Sequence, residues 1–215
     1  MIWIFGDSFS CRFERHLELK NEWAIDYCEY KNKIPKTFGD IVGASLKADV
    51  SNLSKAGSDN YSIFHSFIKY IDEIKQDDVV IFMWSSALRY RLSGKHNEFL
   101  SIVPETDLSR LKNEDLIDEY FSQTTLDDLL LNRNHKMYYN EINDFIKIIG
   151  KSIKNKNLFH LSGFHYVRDE INDIENVSPG TISMETNNNI KNEHFGEMGH
   201  FSLATYLLKK IRANG

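Results

Sequence analysis

Residues 1–10 read MIWIFGDSFS. Ile2 to Phe5 is a short apolar run that stops at Gly6, a pattern that predicts a buried strand feeding a tight turn. A second run, Val79 to Trp84, follows the polar break Asp77-Asp78. Its continuous apolar character is what a strand buried on both faces requires. Ala48 to Leu53 and Asn157 to Leu161 are two further strand candidates. Between these runs the hydrophobic period changes. Phe38 to Leu46 gathers Phe38, Ile41, Val42 and Leu46 on one side, and Tyr61 to Ile74 repeats Phe64, Phe67, Ile68, Ile71 and Ile74 at three and four. Glu141 to Ile153 and Leu203 to Ile211 read as two more helices. Alternating strands and helices predict a doubly wound α/β fold, a three-layer α/β/α sandwich around a central parallel sheet of about five strands.

The segment from about 86 to 135 is charged and largely helical in pattern, as from Leu108 to Phe121, and is expected to form a helical insertion over one sheet edge. Asp169 to Asn189 has little periodicity, contains Pro179-Gly180, and is expected to be loop. A chain of 215 residues with a 41% hydrophobic and 13% aromatic content suits one domain spanning 1–215, with enough apolar material for its own core.

The net charge is −5, from 26 basic and 31 acidic residues, with no long block of one sign. Nucleic-acid binders neutralise phosphates with a basic stripe, and none is present. Cys11 and Cys28 are expected as free thiols. The N-terminus has no basic segment followed by a long apolar one, and no run could span a bilayer, so a cytoplasmic protein without membrane attachment is expected.

In open α/β sheets, ligands bind beyond the carboxyl ends of the strands. Three predicted strand ends carry unusual polar residues: Gly6-Asp7-Ser8, Ala56-Gly57-Ser58-Asp59-Asn60 and Ser85-Ser86. A serine held on a tight turn past a strand can present both its hydroxyl and its own N–H to one space, as a nucleophile that also donates to an oxyanion must. The same letters also serve as a helix-capping turn.

The Gly6-Asp7-Ser8 block at the end of the first strand resembles the first motif of the SGNH/GDSL hydrolases, and the stretch from Asn52 to Asn60 resembles the second. The resemblance implies a flavodoxin-like fold with Ser8 as nucleophile. It implies an oxyanion hole from the N–H groups of Ser8 and Gly57, with Asn60 as a further candidate. The third motif, Gly-x-Asn, is replaced here by Trp84-Ser85-Ser86. Ser85, Ser86 or Asn60 could substitute, and Arg89 could reach the pocket and hold an anionic group. Near the C-terminus, His194 to Gly199 and the helix with Ala204 resemble the last motif, which makes His194 the base. His200 then falls where many members carry a non-catalytic His or Tyr. Glu197-Met198-Gly199-His200 offers an alternative register.

Lys191 and Asn192 stand where the family keeps its aspartate. Asn192 could hold the imidazole tautomer without a charge. Glu193, adjacent to His194, is a candidate supporting carboxylate, as is Asp7 beside the nucleophile. Glu193, His194, Glu197 and His200 cluster, but the two histidines lack the four-residue helical spacing of zinc sites, so no metal is expected. His16, His65, His96, His135, His160 and His165 show no paired spacing. The resemblance implies a serine esterase without cofactor, acting on a small ester such as an O-acetylated carbohydrate. The alternatives are an O-acyltransferase on the same fold and an inactive binding module.

Overall fold

The computed structural model describes residues 1–86, 89–93, 99–102, 112, 135–163, 173–177 and 179–215. Among them is a five-stranded, all-parallel sheet of β1 (Ile2–Gly6), β2 (Val50–Asn52), β3 (Val79–Trp84), β6 (Asn157–Ser162) and β7 (Glu175–Asn176), in the order β2-β1-β3-β6-β7. β1 runs between β2 and β3, pairing Ile4 with Asn52 on one side and with Ile81 on the other. The chain leaves β1 toward β2 and returns across it to β3. The strand order therefore reverses at β1, and the crevice beyond the carboxyl ends of β1 and β3 is a topological switch point.

Every residue of β1 and β3 is buried, which explains why both read as unbroken apolar runs. Alternate residues serve opposite faces. Ile2, Ile4, Val79, Ile81 and Met83 pack with α3 (Phe38–Leu46) and α7 (Glu197–Asn214), through Phe38, Val42, Leu203 and Leu207. Trp3, Phe5, Val80, Phe82 and Trp84 pack with α4 (Asn60–Tyr70) and α5 (His135–Ser152), through Ile63, Phe67, Ile142 and Ile149. Helices therefore cover both faces of the sheet, as the sequence predicts. α1 (Phe13–Glu18) and α2 (Glu22–Lys31) follow the first strand and pack against the short α6 (Ile182–Glu185) through Phe13, Tyr27 and Ile182.

Three expectations need correction. The segment from about 86 to 135 is not helical throughout. Its described residues include an antiparallel ladder of β4 (Tyr90–Ser93) and β5 (Phe99–Ile102), with Tyr90 paired to Ile102 and Leu92 to Leu100. The alternation at Tyr90 and Leu92 is a period of two, which strands obey and helices do not. The stretch from Leu108 to Phe121 lies outside the described residues except for Lys112. Within Asp169 to Asn189, Glu175–Asn176 adds an edge strand and Ile182–Glu185 a single helical turn. The closing helix begins at Glu197 and not at Leu203, which puts His200 in its first turns. Among the described residues, no helix is long and apolar enough to cross a membrane.

Candidate functional site

The turn after β1 is built by its own side chains. A Cβ at Gly6 would collide with Ser10 Oγ and with Met83 on the neighbouring strand, so only glycine fits there. The Asp7 carbonyl accepts from the N–H groups of Ser10 (3.2 Å) and Cys11 (3.1 Å), and Asp7 Oδ1 accepts from the Phe9 N–H at 3.0 Å. Ser10 Oγ donates to Ser54 Oγ at 2.9 Å, and Asn52 Nδ2 donates to the Ser10 carbonyl at 2.8 Å, which ties the turn to the segment after β2. His16 holds the turn from below. Asn21 Nδ2 donates to His16 Nδ1 at 3.0 Å, which leaves the ring proton on Nε2, and Nε2 donates to the Ser8 carbonyl at 3.2 Å. Ser8 itself is half-buried, two residues past the end of β1.

His194 sits in an aromatic slot against this turn. Its ring stacks on Trp23 at 4.4 Å between centroids and on Phe9 at 5.1 Å, with His16 edge-on at 5.6 Å. Asn192 Oδ1 is 2.7 Å from His194 Nδ1 and also accepts from the His194 backbone N–H at 2.8 Å. An amide oxygen only accepts, so Nδ1 carries the proton and Nε2 is the bare nitrogen. That Nε2 is buried and makes no hydrogen bond among the described residues, so the Ser8 hydroxyl does not engage it in this structure. Burial, reinforced by the charges of His16, His200 and Arg89, pushes the His194 pKa down to about 3.

The segment carrying His194 is fixed from both ends. The Asn192 carbonyl accepts from the Ser183 N–H at 3.0 Å and from Ser183 Oγ at 2.9 Å, while the Ile182 N–H donates to the His194 carbonyl at 2.9 Å. Beyond it, Glu185 Oε1 accepts from the first amides of α7, Met198 N at 2.5 Å and Gly199 N at 3.3 Å. A Cβ at Gly199 would collide with the Gly180 carbonyl oxygen, which explains the glycine five residues after His194.

Across the crevice, Gly57 has φ 81° in the loop after β2, a conformation that favours glycine. A Cβ on Gly57 would lie 3.8 Å from Arg89 Nη1. Asn60 is not poised as a free donor. Its Nδ2 donates to the Ser85 carbonyl at 3.1 Å and its Oδ1 accepts from the Ser85 N–H at 2.7 Å, so the side chain clamps the end of β3 to the start of α4. Asp7 is fully buried beside Arg89 and the Ser85 hydroxyl. Burial lifts its carboxyl to about 7 against the opposing pull of the Phe9 N–H, Arg89 and Ser85.

The structure thus brings together Asp7, Ser8, Gly57, Asn60, Ser85, Arg89, Asn192 and His194 around the ends of β1 and β3. Glu193 does not join them: it is exposed, because adjacent residues of extended backbone point opposite ways, and Asn192 has the ring nitrogen. Glu197 is also turned away, paired with Lys31 and Lys33. His200 is buried away from the crevice, its Nδ1 accepting from the Phe38 N–H at 3.3 Å. Sequence reasoning passed over His16 and Trp23, whose contacts with Ser8 and His194 follow no period. The described residues contain no group of three or more His, Cys, Asp or Glu placed to hold a metal ion. No protein-family model, curated protein or solved structure matches this chain.

Proposed function

We propose that this chain is a serine hydrolase of the SGNH/GDSL kind, with a flavodoxin-like sheet and with Ser8, His194 and Asn192 as its catalytic trio. One observation carries the reading: the 2.7 Å contact from His194 Nδ1 to Asn192 Oδ1, which leaves Nε2 unprotonated and, among the described residues, without a partner beside the Ser8 turn. A buried base nitrogen with nothing to accept is costly for structure alone and suits proton transfer.

In this mechanism, substrate binding brings the Ser8 hydroxyl to His194 Nε2, since such contacts often close only in the complex. Ser8 Oγ attacks the ester carbonyl carbon and its proton passes to Nε2. The carbonyl π electrons move onto oxygen, and the Ser8 and Gly57 N–H groups receive that oxyanion. Collapse expels the alcohol, which takes the proton from Nε2. Water, deprotonated by the same nitrogen, then releases the acid and restores Ser8. The preferred substrate class is a small ester such as an O-acetylated carbohydrate, on the strength of the motif resemblance.

The test is active-site labelling. Wild-type protein treated with a fluorophosphonate should gain one covalent adduct on Ser8, found by peptide mass spectrometry, and Ser8→Ala should gain none and hydrolyse no short-chain aryl ester. An unlabelled, correctly folded wild type would overturn the reading in favour of a binding module. Product analysis with an acceptor sugar distinguishes transfer to a hydroxyl from transfer to water.

A further inference from the structure

Arg89 makes no ion pair within 4 Å among the described residues, although the buried Asp7 carboxyl lies near enough to feel its charge. Its Nε is buried and makes no hydrogen bond among the described residues. Nη1 reaches the Gly57 loop, 3.8 Å from the point where a Cβ would sit. The guanidinium also acts electrostatically on His194, opposing protonation of its ring, and on Asp7. In the resting protein this arrangement is unfavourable twice over: a buried donor is unspent among the described residues, and a positive charge opposes protonation of the ring that must become an imidazolium. Both costs vanish when a negative charge lies between Arg89, Gly57 and His194.

We propose that Arg89 is a catalytic residue of the reaction assigned above, donating from its guanidinium to the oxyanion alongside the Gly57 N–H. The proposal rests on Ser8 acting as nucleophile. The oxyanion forms at the moment the Ser8 proton reaches His194. Arg89 therefore offsets the charge that appears on the substrate oxygen as the imidazolium appears on the base. The neutral Asn192 cannot stabilise that imidazolium as a carboxylate would, so charge stabilisation on the oxyanion side has more to do. Hydrogen bonds to a charged group are about twice as strong as neutral ones, and they strengthen as the acceptor gains charge.

The experiment uses the full chain with p-nitrophenyl acetate, a neutral ester, and the p-nitrophenyl monoester of succinate, which carries a carboxylate. Arg89→Met should lower kcat on the neutral ester by roughly 10²–10³-fold, the range seen when one oxyanion donor is removed, with little change in KM. Arg89→Lys keeps the charge and should restore part of the loss, and it serves as the readout if the Met variant does not fold. A kcat near wild type in folded Arg89→Lys and Arg89→Met, with Ser8 still labelled by fluorophosphonate, would overturn the proposal. A raised KM confined to the succinate ester, with kcat unchanged, would also overturn it by making Arg89 a holder of substrate carboxylate. An unlabelled wild-type Ser8 would remove the hydrolase reading itself, and Arg89's role with it.

Discussion

Asn192 Oδ1 lies 2.7 Å from His194 Nδ1, so an uncharged amide occupies the place from which a carboxylate would support an imidazolium. Burial holds the ring pKa down to about 3, which favours the neutral imidazole and makes it weakly basic for the role proposed for it. Each pKa unit is worth about 1.4 kcal/mol. Asn192→Asp should raise the ring pKa by roughly 1–3 units, since a nearby negative charge favours the cation. The acidic limb of kcat/KM should then move to higher pH, and kcat on simple esters should rise. An unshifted limb in a folded variant would show that the residue at 192 does not tune the base.

The two histidines of the last segment should respond differently to removal. His194→Ala removes the proposed base and, if that proposal holds, should cost roughly 10²–10⁴-fold in kcat. His200 instead fills a pocket with Phe13, Phe38 and Phe195, and it satisfies the Phe38 N–H at the start of α3. His200→Ala should leave kcat near wild type and lower stability by roughly 1–3 kcal/mol, through the unpaired N–H and the space left behind. Kinetics and urea unfolding on both variants decide it. A larger kcat loss in His200→Ala would move the base to His200.

Gly199 and Gly180 meet backbone to backbone, and the Gly196 N–H donates to the same Gly180 carbonyl at 3.1 Å. Neither partner can retreat by rotating a side chain. Gly199→Ala should therefore destabilise the protein by roughly 1–3 kcal/mol, the range for overpacking, although alanine is the better helix former. An unchanged urea midpoint would mean that the segment carrying His194 is free to shift.

Much of this site was legible in the sequence. Gly6-Asp7-Ser8 could be placed at a strand end because Ile2 to Phe5 has an unmistakable apolar run, and Val79 to Trp84 sits in the sheet with its predicted bounds. Phe38 to Leu46 is likewise helical over the predicted residues, closed at its start by Thr37 and Asp40. Asn192 was legible only as one of several partners for His194, because spacing does not say which way a side chain turns. The edge strand Glu175–Asn176 was not legible, since two residues carry no period. Nor was the nearness of Arg89 to Gly57, which arises from β2 and β3 flanking β1, so that the loops following them meet although they are distant in the chain. His16 looked like any isolated histidine. Its role depends on Asn21 setting the tautomer and on a turn of the fold that returns it beneath Ser8.

Asp7 gives a prediction about stability. Its carboxyl is fully buried and titrates near 7, above the ordinary value of 3.8. Between those two values the folded protein keeps a proton that the unfolded chain has lost. The stability this group contributes is therefore complete below about pH 4, falls as pH rises, and is gone above about pH 7, with a maximum slope of about 1.4 kcal/mol per pH unit. His16, His160, His194 and His200 work in the opposite sense, because their lowered pKa values make the fold lose stability as pH falls below the ordinary histidine range. A simple pH profile would mix the two effects. Asp7→Asn separates them, since the amide has the same shape, can still accept from the Phe9 N–H, and does not titrate. The histidine contributions are common to both proteins and cancel in the difference. The stability of Asp7→Asn relative to wild type should therefore grow from pH 4 to pH 7 and level off above it. Urea unfolding of both proteins at pH 4.5, 6 and 8 measures this. A difference that stays constant with pH would show that Asp7 is ionised in the fold at all three values, paired with Arg89 and not protonated beside it.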